Sequence, residues 1–263
     1  MRSLKRWFKT RYADIRNYHR RVAVADEISG LLGVPVELEK SGNRGQDDIY
    51  FVNSNQDKTG VLRLYNPHKK QRFFPEGYPF KILPFESRLE QEWHAYQTGY
   101  PLGLTPKPLW KDRDAILCEY LPYTTLHKIM LSNPGLSWEL INKASRRLQD
   151  LHAAGITHMD ASLANILTDS NCRHLVFIDF EFSPANGLSF RLQKLYDHLR
   201  LLESSLKFMP EGMINDAGDW LQNLHQVFGN SPPESGIEIL VPGLPRLTSN
   251  QALWDKISAV INR

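Results

Sequence analysis

His158-Met159-Asp160-Ala161-Ser162-Leu163-Ala164-Asn165, followed after an apolar run by Phe177-Ile178-Asp179-Phe180-Glu181, is the stretch whose reading decides the fold of this chain. It carries two carboxylates and one carboxamide, on a loop and at the end of a short apolar segment. Side chains of that kind suit a hard cation and the deprotonation of a hydroxyl.

The residues between them predict how they meet. Ile166-Leu167 and His174 to Ile178 read as two short buried strands around the polar turn Thr168-Asp169-Ser170-Asn171, and such a hairpin returns Asp179 beside Asn165. Upstream, Leu140, Ala144, Leu148 and Leu151 share one helical face, with Ser137 as candidate N-cap and Gly155 as the stop. Asp160 lies five positions before Asn165, in the loop that this helix feeds. Mg²⁺ prefers oxygen ligands together with phosphates, so Asn165 and Asp179 suit the metal and Asp160 suits an acceptor hydroxyl.

The run from Leu151 to Asp160, with Asn165 and Asp179, has the form H-x-D-x-x-x-x-N followed by an apolar strand and D-F. It resembles the catalytic and metal-binding loops of the protein-kinase-like superfamily. The resemblance implies an α+β, bilobal protein-kinase-like fold with a small β-rich N-lobe and a mostly helical C-lobe. The expected division is a basic amphipathic N-terminal helix over residues 1–30, an N-lobe over 31–122 and a C-lobe over 123–263. ATP and Mg²⁺ are the implied cofactors. A pseudokinase with the same fold, and an accidental match in an unrelated fold, are the competing readings.

Composition agrees with a folded globular protein. The 263 residues are 41% hydrophobic and 23% charged, which is globular rather than disordered. No apolar run reaches the roughly 18 residues of a membrane span and no secretory signal is visible, so a cytoplasmic protein is expected. Cys118 and Cys172 lack metal-ligand spacing and read as reduced thiols. His158 reads as a packed residue of the loop, because no second histidine stands at zinc-ligand spacing.

Working outward, residues 1–21 hold eight basic residues against one acid, Asp14; of the formal net charge of +3, this end carries +7 and the rest −4. Leu4, Trp7, Phe8, Tyr12 and Ile15 recur at helical spacing. Two readings stand: docking on an anionic membrane surface, or a helix packed on the body with a solvated basic face. Nothing beyond this short basic end points to nucleic acid.

Val36 to Lys40 and Ile49 to Asn53 read as strands around the loop 41–46. By the resemblance this hairpin covers the ATP phosphates, with Gly42 and Gly45 admitting backbone amides; an ordinary hairpin turn has the same residues. Val61 to Tyr65 alternates as a third strand. Where the superfamily usually places a phosphate-holding lysine, this chain has Arg63, an always-charged but planar substitute. The helix from about Glu86 to Thr98 aligns Phe85, Leu89, Trp93 and Tyr96, with Glu92 as the implied partner of Arg63 and Glu90 solvated. Ala115 to Tyr120 is an apolar strand leading to Glu119-Tyr120-Leu121-Pro122, where the resemblance places the adenine-facing hinge, Glu119 and Leu121.

The Leu-Arg-x-Tyr context of Arg63 and the run Gly103-Leu104-Thr105-Pro106-Lys107-Pro108 resemble the lipopolysaccharide core sugar kinases, such as the 3-deoxy-manno-octulosonic acid and heptose kinases. The chain has no D-F-G and no A-P-E, and only Phe182 to Ser189 separates Glu181 from the helical pattern Leu192, Leu195, Tyr196, Leu199, Leu202. The resemblance therefore implies a kinase for a sugar or glycolipid hydroxyl, with a small protein kinase and a nucleotide-binding adaptor as alternatives. Asp197 is read either as a ligand of the catalytic-loop backbone or as a solvated helix charge. The insertion Asn66 to Pro84 interleaves Lys69, Lys70, Arg72 and Lys81 with Phe73, Phe74, Tyr78 and Phe80, and is read either as an acceptor-binding loop or as a mobile surface loop. A Pro- and Gly-rich connection then leads to a last amphipathic helix with Leu253, Trp254, Ile257 and Ile261.

Overall fold

A computed structural model describes residues 12–42, 45–70, 72–229 and 236–261. The chain divides into two compact units. One gathers the residues up to Phe73 with Pro84–Gln97 and Pro106–Leu121; the other gathers Phe74–Leu83, Thr98–Thr105 and the chain from Pro122. No helix among the described residues is long and apolar enough to cross a membrane.

The first unit is built on β1 (Glu37–Gly42), β2 (Asp47–Ser54), β3 (Asp57–Tyr65), β5 (Pro108–Asp112) and β6 (Ala115–Glu119), an antiparallel sheet ordered β1-β2-β3-β6-β5. Burial alternates along β2 and β3, as period-2 strands require. Tyr50, Val52, Leu62, Leu64 and Leu117 form a core with Val24 and Ile28 of helix α1 (Tyr18–Leu32). Leu62 is fully buried there, and its truncation to alanine is worth about 2–5 kcal/mol. Helix α1 is tied to the β5–β6 turn by Arg20, whose Nη2 donates to Asp114 at 2.7 Å and also to Asp112. It ends on Gly33 in the left-handed conformation, φ +71°. The second helix, α2 (Phe85–Gly99), buries Leu89, Ala95 and Tyr96, and beside them two charged residues, Arg88 and Glu92. Phe85 stacks on Tyr65 at 4.0 Å.

The second unit is mostly helical: α3 (Leu126–Ser132), α4 (Ser137–Ala153), α5 (Phe190–Ser205), α6 (Glu211–Ile214), α7 (Gly218–Phe228), α8 (Pro245–Ser249) and α9 (Gln251–Ile261). The α+β division expected from the sequence, a β-rich unit followed by a helical one, is what the structure has. Leu140, Ile141, Ala144, Leu148 and Leu151 of α4 are buried, the stripe that the 3.6-residue period dictates. Its start differs from expectation. Ser137 is not the N-cap: the turn Pro134–Leu136 runs directly into the helix, so Ser137 is already helical and its hydroxyl donates to Pro134 O at 2.6 Å. Gly155 follows the helix end with φ +79°, a conformation that glycine adopts without a Cβ clash.

Three short strands, β7 (Thr124–Thr125), β8 (Ile166–Thr168) and β9 (Leu175–Phe177), pair antiparallel. A further pair joins β4 (Phe80–Ile82) to β10 (Phe182–Pro184), with Phe80 opposite Pro184. That pair anchors the end of the Asn66–Pro84 insertion. Phe80 meets Phe74 at 4.9 Å, Phe182 at 4.7 Å and Tyr196 at 6.1 Å, so these rings build a packed cluster, while Phe73 of the same insertion is 88% exposed. Lys69 is withdrawn: its ammonium lies 2.9 Å from Asp48, which is fully buried.

Candidate active site

Asp197 on α5 fixes the loop that follows α4. One of its oxygens accepts from the His158 N–H at 2.8 Å and lies 2.9 Å from His152 Nε2; the other accepts from the Met159 N–H at 2.7 Å. Aiming two successive N–H groups at one buried carboxylate turns Met159 into the left-handed region, φ +59°, although its side chain is fully buried. Such a conformation persists only where the surroundings over-determine it. His158 adds to the constraint, with Nε2 3.0 Å from Ile178 O and its ring stacked on Phe180 at 4.4 Å.

The loop delivers Asp160 with both oxygens engaged. Asn165 Nδ2 donates to Asp160 Oδ2 at 3.1 Å and to Asp160 O at 3.0 Å, while Arg200 Nε donates to Oδ1 at 2.9 Å. Desolvation pushes the Asp160 carboxyl above the ordinary carboxylate range, against the pull of Arg200 and His158 and with a push from the negative charge of Asp179.

Asn165 and Asp179 are brought together by the β8–β9 hairpin. Its register sets Ile166 opposite Phe177, and the Ile178 N–H donates to Asn165 O at 3.0 Å, so Asp179 follows directly on a residue bonded to Asn165. Asp179 has φ +68°, the second non-glycine residue of the site in the left-handed region. Asn165 Nδ2 is engaged with two oxygens of Asp160, and the amide oxygen is the metal-capable atom of the side chain. No cluster of three or more His, Cys, Asp or Glu able to hold a metal occurs among the described residues. One carboxylate and one amide oxygen fit Mg²⁺, which takes few protein ligands and completes its shell with water and phosphate; they do not fit a zinc site.

The first unit places Arg63 in a buried chain of charges. Arg63 Nε lies 3.0 Å from Glu92 Oε2, and its Nη1 donates to Asp47 Oδ2 at 3.1 Å. Asp47 also accepts from Arg88 Nη2 at 2.6 Å, and Glu92 accepts from the Tyr96 hydroxyl at 2.6 Å. The two arginines and two carboxylates balance, as buried charges must. Gly42 ends β1 at a register shift opposite Ile49, and Gly45 has φ +97°; residues 43 and 44 between them lie outside the described residues. Glu119 ends β6, and its side chain accepts from the Lys107 N–H at 2.7 Å. Leu121 closes the first unit.

Sequence reasoning missed Arg200, Asp47 and Arg88. The first stands one helical turn after Asp197, and Arg88 stands one turn before Glu92, so helical spacing from each recognised acid is the signal that finds them. Asp47 carries no such signal, because its role depends on a strand neighbour, Arg63, and a helix residue distant in sequence.

No family model and no curated protein matches the chain. Solved structures similar to it include two kinases. One is the Rio2 kinase of Chaetomium thermophilum in an ADP/Mg²⁺-phosphoaspartate complex: 18% identity, 93% of this chain and 73% of that one covered, TM-score 0.45. The other is the PknI kinase domain of Mycobacterium tuberculosis: 12% identity, 87% of this chain and 96% of that one covered, TM-score 0.48.

Proposed function

We propose that this chain is an ATP-dependent phosphotransferase acting on an alcohol hydroxyl, and that its acceptor is a sugar of lipopolysaccharide core or a similar glycolipid. The observation that carries the reading is the aim of Asp160, a carboxylate held between Asn165 and Arg200 on a loop that Asp197 clamps. A surface aspartate needs no such scaffold; a general base does, because proton transfer demands hydrogen-bond reach of the substrate.

On this reading Asp160 takes the proton of the acceptor hydroxyl while that oxygen forms its bond to the γ-phosphorus and the bridging bond to the β-phosphate breaks, releasing ADP. Asn165 and Asp179 would hold Mg²⁺, which when bound neutralises charge on the phosphates. Arg63, steadied by Glu92, would pair with the phosphates, Gly42 and Gly45 would admit backbone amides to them, and Glu119 to Leu121 would offer backbone groups to the adenine.

Retention of Asp160, Asn165 and Asp179 together argues against a pseudokinase. Against a protein kinase stands the short path from β10 to α5, since only residues 185–189 separate Pro184 from Phe190. A peptide-binding platform of the usual kind has no room there, whereas a sugar needs none. The test is to incubate the protein with γ-labelled ATP and Mg²⁺ beside envelope glycolipid, soluble sugars or cell protein. Label in glycolipid or sugar supports the reading; label confined to protein replaces the acceptor, and no transfer in any arm removes the activity.

A further inference from the structure

A helix that has already buried one face carries a second apolar stripe. Residues 12–16 are helical and α1 resumes at Tyr18; the Asn17 N–H donates to Ala13 O at 3.1 Å and the Arg21 N–H to Asn17 O at 3.0 Å, so the helical phase continues across the join. The inner face is Ala13, Asn17, Val24 and Ile28, all buried. On the opposite side Ile15 is 70% exposed, Tyr18 49% and Val22 40%, at positions i, i+3 and i+7, with Tyr12 at the shoulder.

Basic groups edge this stripe. The Arg16 guanidinium lies over the Tyr12 ring at 5.8 Å and that of Arg21 over Tyr18 at 5.1 Å. Asp14, the sole acid among residues 1–21, is paired with Lys40. The stripe ends where Asp26 follows Val22 by one turn.

We propose that the Tyr12–Val22 face docks on an anionic lipid bilayer. Apolar side chains entering the acyl boundary, tyrosines at headgroup level and guanidiniums on lipid phosphate are what such a surface accepts from a helix lying in its plane. The charge asymmetry along the chain, +7 over residues 1–21 against −4 elsewhere, turns this end towards a negative surface. A second copy of the chain is a poorer occupant, because it would set Arg16 and Arg21 against their like.

The inference is independent of phosphotransfer, and its test is separable. The full chain should sediment with vesicles of phosphatidylcholine mixed with phosphatidylglycerol, remain in solution with phosphatidylcholine alone, and release as salt rises. Ile15→Ser with Tyr18→Ser, and separately Arg16→Glu, should each lower vesicle partition by about tenfold while leaving the urea midpoint and ATP binding unchanged, since these side chains are exposed. Absence of binding to anionic vesicles, or binding that both variants retain, overturns the proposal. So does light scattering that shows a dimer dispersed by the Ile15→Ser, Tyr18→Ser variant.

Discussion

Arg200 reaches Asp160 from one helical turn beyond Asp197, donating through Nε to Oδ1 across 2.9 Å. The helix that clamps the loop backbone therefore also aims the loop's carboxylate. Arg200→Gln should lower turnover by roughly 10- to 100-fold with ATP affinity nearly unchanged, because an unaimed base loses reach and not substrate. Arg200→Lys should recover part of the loss, keeping charge without the fork. Steady-state kinetics with direct nucleotide titration separates the two parameters; an equal loss in both assigns Arg200 to general stability.

Asp197→Asn tests the clamp. The amide offers one acceptor oxygen where the carboxylate offers two, so one of the His158 and Met159 N–H groups is left unsatisfied in a buried site. A cost of about 1–3 kcal/mol follows. Urea unfolding should report it, and activity should fall further than the stability loss explains, since Met159 no longer has reason to hold φ +59°.

Arg63 sits between two buried carboxylates, so its removal has two consequences. Arg63→Ala leaves Asp47 and Glu92 short of a partner and should destabilise the protein by about 3–5 kcal/mol as well as abolish tight nucleotide binding. Arg63→Lys should keep the fold and part of the affinity. A folded alanine variant with parental affinity for ATP would move the phosphate ligand elsewhere.

His198 predicts how stability depends on pH. Burial, reinforced by His152, pushes its pKa from 6.5 down to about 3, with Asp197 opposing. The folded ring stays neutral where the unfolded one takes a proton. Its contribution is thus complete above pH 6.5 and is lost progressively as pH falls from there towards about 3. Chemical unfolding at pH 7.5 and at roughly one unit below the unfolded value should show a declining midpoint, and His198→Phe should flatten that decline.

Much of this arrangement is legible in the sequence because its causes are local. The alternation of β2 and β3, the stripe of α4 and the turn between Thr168 and His174 follow from the identity of near neighbours. The loop carrying Asp160 and Asn165 is legible for the same reason. Glu92 opposite Arg63 is implied by the family resemblance, with helix phase placing Glu92 at the edge of the buried stripe. What escaped depends on partners far apart in the chain. Three-residue strands such as β4 and β10 have no period to detect, and only the meeting of Phe80 with Phe182 reveals them. The described residues at the start of the chain leave two readings open for another reason: they pack through small Ala13 and polar Asn17, while the larger Tyr12, Ile15 and Tyr18 point outward. An apolar stripe marks a buried face only when nothing else in the chain competes to be that face.

The central claim is a division of labour between Asp160, which takes the acceptor proton, and Asp179, which serves Mg²⁺ and nucleotide. The direct measurement compares Asp160→Asn and Asp179→Ala for turnover with labelled ATP and for Mg²⁺-dependent ATP affinity. Asp160→Asn should lower turnover by roughly 10²- to 10⁴-fold at nearly parental affinity, and Asp179→Ala should weaken Mg²⁺-ATP binding itself. Equal loss of nucleotide affinity in both variants, or parental turnover in Asp160→Asn, would contradict it.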